Sequence, residues 1–303
     1  TAPATPASEW ATELGLGVLA VIWGVNFPLI KVALEDFPPL AFNALRFPLA
    51  AAVLLLLMKA TGGVRWPEPR DRMKVIGLGI LGNVVYQLLF IVGLSRTGAG
   101  NASLLLATTP AWTALLSTAV GHERLAGRVW LGIAGAVAGM VLVVAGGQGF
   151  HFGGGTLMGD VLMIVASMTW ALYTVGGRPL IQRYGAMAVT GWTLWAGMPA
   201  LVLLGVPALV RTDFSQVSAG SWGALVYAGV LAISVAYALW NRGVRRLGNA
   251  RTAIYSNTVP VVALAAAWIG LGEVPTPLQL AGAAVILGGL TLARTGRGRL
   301  TGR

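Results

Sequence analysis

The feature that most constrains the fold of this chain is a succession of long apolar runs without charged residues. A helix needs about 20 such residues to cross the hydrocarbon core of a bilayer. The runs cover residues 14–30, 75–95, 97–121, 129–150, 161–177, 184–210, 214–241, 252–272 and 274–293, and a further run, 37–58, is interrupted only by Arg46. Since the remaining segments are too short for a soluble domain, the sequence predicts an all-α membrane protein with ten transmembrane helices, numbered here as spans 1 to 10.

The positions of the basic residues predict how these spans are oriented. The formal net charge of +11 would favour a nucleic-acid partner in a soluble protein. If both termini are cytoplasmic, however, only Lys31, Arg96 and Arg211 of the 21 Lys and Arg residues lie outside, and Arg46 lies within span 2. Lys and Arg are enriched in cytoplasmic loops, and a basic tail is attracted to anionic lipid. We therefore expect a bacterial inner-membrane protein with cytoplasmic termini and no nucleic-acid partner.

Two parts of the chain match one another at a nearly fixed offset. At a shift of 150 residues the coinciding pairs are Gly93 and Gly243, Arg96 and Arg246, Gly98 and Gly248, Pro110 and Pro260, and Glu123 and Glu273. At a shift of 147 residues they are Glu13 and Asp160, Trp23 and Trp170, and Lys31 and Arg178. Five spans per repeat would turn the second repeat upside down, and the basic residues of matching loops change sides accordingly. We expect two inverted five-helix repeats, 1–149 and 150–303.

Polar and aromatic side chains share helix faces in eight of the spans. Span 3 is typical, because Asn83, Tyr86, Gln87 and Phe90 follow helical spacing. Hydrocarbon cannot satisfy amides or hydroxyls, so these faces must turn toward other helices or a water-filled cavity. The candidate substrate-binding residues selected in this way are Trp23, Asn26, Arg46, Asn83, Tyr86, Gln87, Trp112, Trp170, Tyr173, Tyr237, Tyr255 and Asn257.

Each of these residues also has a purely structural interpretation. A polar residue in a transmembrane helix often forms only an interhelical hydrogen bond, worth about 0.6 kcal/mol, and aromatic residues also fill cores. Arg46 could bind a substrate carboxylate or extend toward Glu35 and Asp36 near the membrane surface. Spans 5 and 10 carry small residues at 132–139 and 281–289. These stretches predict tight packing, or the contact of a weak homodimer, rather than a cavity wall.

The acidic residues restrict the transport mechanism. All ten Asp and Glu residues lie in loops or at span ends, and both histidines lie in loops. A proton-coupled antiporter would need a buried acid or histidine relay, for which only Glu13 and Asp160 are candidates, so we expect uniport. An intramembrane enzyme would need paired acids, a metal cluster or a Ser/His pair within the spans, and the sequence contains none there. Cysteine is absent, and no cofactor is expected.

Four motifs resemble the EamA-type transporters of the drug/metabolite transporter superfamily: WGVNFPLIK (23–31), LRF (45–47), the run 93–125 that ends in GHERL, and GNARTAIYSNTVPVVALAAAWIGLGEVPT (248–276). The resemblance covers nearly the whole chain, and the aromatic content is similar to that of the bacterial aromatic amino acid exporters. It implies a central cavity between spans 1 to 4 and 6 to 9, and export of amino acids or related metabolites by alternating access. A proton-coupled permease for organic cations, multiple drugs or other metabolites is the alternative.

Overall fold

The computed structural model consists of helices and short connections in the residues that it describes, which are 6–60, 66–120, 127–146, 155–240, 242–243, 255 and 258–295. We label each helix with the number of the span that it contains. The helices are α1 (Pro6–Asp36), α2 (Pro39–Ala60), α3 (Pro69–Arg96), α4 in two segments (Ala99–Leu106 and Thr109–Ala119), α5 (Gly127–Gly146), α6 (Gly155–Tyr184), α7 (Ala186–Arg211), α8 (Ala219–Trp240), α9 (Val259–Leu271) and α10 (Pro277–Thr295).

Length and apolar composition identify the helices that can cross a membrane. Seven qualify within the described ranges, namely α1, α2, α3, α5, α6, α7 and α8. Two shorter apolar helices occupy Val259–Leu271 and Pro277–Leu292. α4 is divided by a turn at 107–108, just before Pro110, whose ring removes a backbone donor. The predicted all-α, multi-pass membrane architecture is therefore confirmed.

Helices from the two halves of the chain pack in corresponding pairs. α2 packs on α7, and α5 packs on α10. α3 lies against α6 and α7, as α8 lies against α1 and α2, while α4 contacts α6 as α9 contacts α1. If each helix is exchanged for the one five places along the chain, the pairs α2–α7 and α5–α10 become themselves, and every other pair becomes another member of the set.

Two corresponding helices, α3 and α8, also contain π-helical turns. The turn in α3 spans Leu81–Val85, and the longer one in α8 spans Tyr227–Val235. The shift of 150 residues places the first turn on 231–235, inside the second. Such turns are frequent at functional sites. In this chain the candidate residue Tyr86 directly follows the first turn, and Tyr237 lies two residues after the second.

α5 and α10 pack backbone against backbone. A Cβ atom on Gly139 would lie 2.7 Å from the carbonyl oxygen of Gly282, and one on Gly289 would lie 2.6 Å from that of Gly132. Glycine is required for so close an approach of two helices. The small-residue stretches of spans 5 and 10 therefore face each other within one molecule, and a homodimer through these helices stays a prediction.

Ionic contacts mark the two ends of the helix bundle. At one end, which we call the Lys31 end, Lys31 Nζ lies 3.7 Å from Glu273 Oε1. At the other, the Arg183 end, Arg183 forms ion pairs with Glu68 at 2.8 Å and with Asp71 at 3.1 Å. α6 connects the two ends, since Asp160 lies near the first and Arg183 at the second, roughly 35 Å apart along a helix that rises 1.5 Å per residue.

Candidate functional site

The first aromatic cluster consists of Tyr86, Phe90, Trp170 and Tyr173 and joins α3 to α6. The ring centroids lie 4.8 Å apart for Tyr86 and Trp170, 4.9 Å for Trp170 and Tyr173, and 5.8 Å for Tyr86 and Phe90. The Tyr173 hydroxyl lies 3.0 Å from Thr193 Oγ1 on α7. Three predicted site residues thus lie together, with the polar edge of Tyr173 already hydrogen-bonded.

The second aromatic cluster consists of Trp23, Tyr237 and Trp240 and joins α1 to α8. The Trp23 ring lies 5.7 Å from that of Trp240 and 6.4 Å from that of Tyr237, and its Nε1 donates to the carbonyl oxygen of Ala232 at 2.9 Å. Tyr255 packs against the same apolar core as Trp23 and Trp240, which includes Leu16 and Leu19. The cluster therefore brings together two further predicted residues, Trp23 and Tyr237, and Tyr255 lies on the core beneath it.

The two clusters occupy matching places in the two halves of the chain. Trp23 coincides with Trp170 at a shift of 147 residues, and Phe90 coincides with Trp240 at a shift of 150. Each cluster thus combines a tryptophan from the first helix of one half with an aromatic residue from the third helix of the other half. The site is assembled from both halves rather than from one.

Arg46 is a buried cation close to both clusters. It is only 2% exposed, and its Nη2 donates to Gln87 Oε1 at 2.7 Å. The guanidinium carbon lies 5.1 Å from the ring centroid of Phe42, which is a favourable cation–π distance. A Cβ atom on Gly229 of α8 would lie 3.0 Å from the carbonyl oxygen of Arg46. Arg46 thus connects α2 with α3 and α8.

The interpretation of Arg46 as a side chain that extends toward Glu35 and Asp36 is wrong. Asp36 Oδ2 accepts hydrogen bonds from the backbone nitrogen and hydroxyl of Ser218, at 2.9 and 2.7 Å. Within the described part of the chain, the guanidinium has no carboxylate partner. Buried charges are normally paired, because removing them from water is costly. Arg46 is therefore a buried charge that no described carboxylate compensates.

Three buried polar atoms have no hydrogen-bond partner among the described residues: Asn26 Oδ1, Asn43 Oδ1 and Arg46 Nε. Most buried polar atoms in proteins are satisfied, so such exceptions indicate a place for a ligand or water. Asn43 was not among the predicted site residues. Its Nδ2 donates to the carbonyl oxygen of Gln87 at 3.3 Å. A signal was present in the sequence, since Asn43 lies three residues before Arg46 and hence on the same helix face.

The remaining predicted residues are more dispersed. Trp112 Nε1 donates to Thr108 Oγ1 at 3.2 Å, and its ring has no aromatic neighbour in the described ranges. Asn83 packs against Gly197, where an added Cβ would lie 2.8 Å from the Cβ of Asn83. Asn257 lies outside the described residues. No three His, Asp or Glu side chains within the ranges that the structure covers are arranged to hold a metal ion.

Comparison with known proteins agrees with this architecture. The chain is 32% identical to a probable terminal-alkyne amino-acid exporter of Streptantibioticus cattleyicolor, with 93% of this chain and 92% of that protein covered. It is 30% identical to a probable amino-acid metabolite efflux pump of Escherichia coli (90% and 93% covered) and to the uncharacterized transporter YyaM of Bacillus subtilis (90% of each). A solved crystal structure has the same fold, with a TM-score of 0.65, 24% identity, and 95% and 98% of the two chains covered.

The family comparison covers most of the sequence. The model of the EamA-like transporter family matches residues 11–145 and residues 157–295. These two stretches leave out little more than the ends of the chain and the segment between α5 and α6. The protein therefore belongs to the EamA-like transporter family.

Proposed function

We propose that this protein exports amino acids with aromatic or apolar side chains, and related small metabolites, across the bacterial inner membrane. The observation that carries the proposal is the set of unpartnered buried atoms beside the two aromatic clusters, Asn26 Oδ1, Asn43 Oδ1 and Arg46 Nε. Two are hydrogen-bond acceptors and one is a cationic donor. Amino acids are zwitterions whose ammonium group donates and whose carboxylate accepts, so this set complements their head group.

The chemistry of each group assigns it a part in binding. The guanidinium of Arg46 would hold the substrate carboxylate, since charge-assisted hydrogen bonds from Arg to carboxylates are among the strongest in proteins. The amide oxygens of Asn26 and Asn43 would accept hydrogen bonds from the ammonium group. The rings of Tyr86, Trp170 and their neighbours would contact an apolar or aromatic side chain. Ligand sites commonly combine such an apolar lining with a few polar groups.

Transport would proceed by alternating access between two inverted repeats, 1–149 and 150–303. The symmetric set of helix pairs, the matched π turns of α3 and α8 and the matching aromatic clusters support this proposal. Inverted repeats commonly place the substrate site at their interface near the bilayer midplane. The loop charges support an orientation in which both termini are cytoplasmic and the Lys31 end faces outward.

Uniport is the coupling mode that we propose. The buried acids among the described residues are Asp71 and Asp160, and each lies at an end of the bundle rather than beside the aromatic clusters. A proton-coupled carrier needs an ionisable group that the substrate site can sense. The alternative, a proton-coupled permease for organic cations, gains support from the aromatic rings but would place a cation beside the uncompensated charge of Arg46.

The decisive experiment is transport by the purified protein in proteoliposomes. We expect uptake of labelled phenylalanine or leucine that unlabelled aromatic amino acids inhibit and that an imposed pH gradient leaves unchanged. Absence of amino-acid uptake in vesicles that contain folded protein would contradict the proposal. Dependence on the pH gradient would identify an antiporter, and inhibition by quaternary ammonium compounds instead of amino acids would favour the organic-cation permease.

A further inference from the structure

The groups that hold the guanidinium of Arg46 within the described ranges are all electrically neutral. Its Nη2 donates to Gln87 Oε1 at 2.7 Å, and its guanidinium carbon lies 5.1 and 5.3 Å from the ring centroids of Phe42 and Phe47. An amide and two aromatic rings orient a cation and stabilise it, but they carry no negative charge that would cancel it. The side chain is thus held in place while its full charge remains.

Gln87 is the polar partner that fixes this arrangement. Because a guanidinium group only donates hydrogen bonds, the side-chain amide of Gln87 must turn its oxygen toward Arg46 and its NH2 group away. The backbone of Gln87 takes part as well, since its carbonyl oxygen accepts from Asn43 Nδ2 at 3.3 Å. One residue of α3 therefore contacts both polar side chains that α2 presents on this face.

No described carboxylate on a neighbouring helix compensates the charge of Arg46. α2 packs against α1, α3, α7 and α8. The apolar runs of α3, α7 and α8 contain no charged residue, and the acids of α1 lie near its two ends, where Asp36 is bound to Ser218. A buried charge without a counter-ion is costly, so a ligand with an anionic group is favoured beside Arg46 and a cationic ligand is disfavoured.

The chemistry of residue 87 decides whether this region carries a net charge. A glutamate side chain has the same length and shape as glutamine, so one of its oxygens would occupy the place of Oε1, within hydrogen-bond distance of Arg46 Nη2. Arginine and carboxylate would then form a buried ion pair without net charge. The amide of Gln87 supplies the same acceptor and leaves the charge of Arg46 unchanged.

We propose that Gln87 sets the charge selectivity of the transport site. As a neutral partner it positions Arg46 without neutralising it, so the site selects organic carboxylates and rejects organic cations. This inference rests on the proposed function, in which Arg46 binds the substrate carboxylate. Gln87 is a positioning residue, because it acts through Arg46. Its neutrality explains how a site lined by aromatic rings, which attract cations, discriminates against them.

Three ligands that share a phenyl ring and differ in charge test the proposal: phenylalanine, 3-phenylpropionate and 2-phenylethylamine. Isothermal titration calorimetry with the purified protein in detergent measures their dissociation constants. The wild-type protein should bind 3-phenylpropionate at least about tenfold more tightly than 2-phenylethylamine, as expected for one charge-assisted hydrogen bond. Gln87→Glu should invert this order, because the new carboxylate neutralises Arg46, and it should weaken the binding of phenylalanine.

Further variants separate the charge at residue 87 from its hydrogen bond. Gln87→Met removes the acceptor but not the charge of Arg46, so the preference for the carboxylate should remain. Gln216→Glu is the matched control, because it introduces the same charge at an exposed residue, and it should keep the wild-type order. If Gln87→Glu does not fold, Asn43→Asp should invert the order instead, since it places a carboxylate one turn from Arg46 on the same helix face.

Two outcomes would overturn this role of Gln87. The first is a wild-type protein that binds 3-phenylpropionate no more tightly than 2-phenylethylamine. The second is a folded Gln87→Glu protein that keeps the wild-type order, or loses its preference only as far as Gln87→Met does, which would leave Gln87 a structural hydrogen bond. The proposed function fails separately, because inversion by Gln87→Glu without any uptake of amino acids would reject amino-acid export and retain the role of Gln87.

Discussion

α5 and α10 meet along glycines, whereas the helices around Arg46 meet through large aromatic rings and amides. In the first region an atom added at Gly289 would lie 2.6 Å from the opposing backbone, and the paired stretches carry no polar side chain. In the second, Asn26, Asn43 and Arg46 each leave one buried polar atom without a partner. The backbones of α5 and α10 are in direct contact, whereas the region around Arg46 contains buried polar atoms that have no hydrogen-bond partner.

This contrast indicates where stability and function reside. Close helix contacts in lipid are stabilised by packing, which the α5–α10 pair maximises. Unpartnered buried polar atoms are destabilising and persist where a ligand uses them. We therefore expect substitutions in the α5–α10 pair to affect mainly stability, and substitutions around Arg46 to affect mainly transport.

The largest expected effect concerns two adjacent glycines of α10. Gly289→Ala places a methyl group against the backbone of α5 and should lower the free energy of unfolding by about 3 kcal/mol, because the packed helices cannot absorb it without moving apart. Thermal unfolding in detergent measures this loss. Gly288→Ala is the control, since an added Cβ there meets nothing within 4 Å. Equal stability of the two variants would contradict the backbone contact.

An intermediate effect is expected at Asn26, with opposite signs for stability and flux. Asn26→Leu removes a buried unpartnered oxygen and should leave stability unchanged or raise it by about 1 kcal/mol. Amino-acid flux should fall by about tenfold, because an acceptor for the substrate ammonium is lost. Thr291→Val, on the exposed face of α10, should change neither quantity. A clear loss of stability in Asn26→Leu would assign this amide a structural role instead.

The smallest effect is expected at the Tyr173 hydroxyl. Tyr173→Phe removes the 3.0 Å hydrogen bond to Thr193 and should reduce stability by about 1 kcal/mol. Flux should change by less than about threefold, because this hydroxyl already has a protein partner. Thr193→Val and the double variant complete a thermodynamic cycle, in which the two losses should not add. A much larger fall in flux for Tyr173→Phe alone would show that the hydroxyl contacts the substrate.

The sequence predicted the helices well and their partners poorly. The charge-free run 75–95 lies within α3, and the spacing of three and four residues from Asn83 to Tyr86 and Gln87 predicted a common face, because both depend only on local composition and periodicity. Pro110 in the run 97–121 likewise predicts a kink in span 4, and the structure divides α4 by a turn just before this proline. Local patterns thus located the segments and the position of this break.

Which helix faces contact each other depends on the packing of helices that are far apart in the sequence. The bond between Arg46 and Gln87 requires α2 and α3 to meet at a particular depth, and the sequence left Glu35 and Asp36 as equally reasonable partners. Asn43 was missed because one amide in an apolar run shows no period by itself, although its spacing from Arg46 places both residues on one helix face. The bonds from Glu273 to Ala99 and Gly100 join residues about 170 positions apart, a distance over which periodicity carries no information.

The most direct test of the account compares an amino acid with its carboxamide as competitors for transport by the wild-type protein and by Arg46→Gln. If Arg46 holds the substrate carboxylate, phenylalanine should inhibit wild-type flux at least tenfold more strongly than phenylalaninamide, since a charge-assisted hydrogen bond is worth about 1.5–3 kcal/mol. In Arg46→Gln, this preference should disappear while binding of the amide changes little. An Arg46→Gln variant that is folded and active and that keeps the full preference for the carboxylate would contradict the central claim.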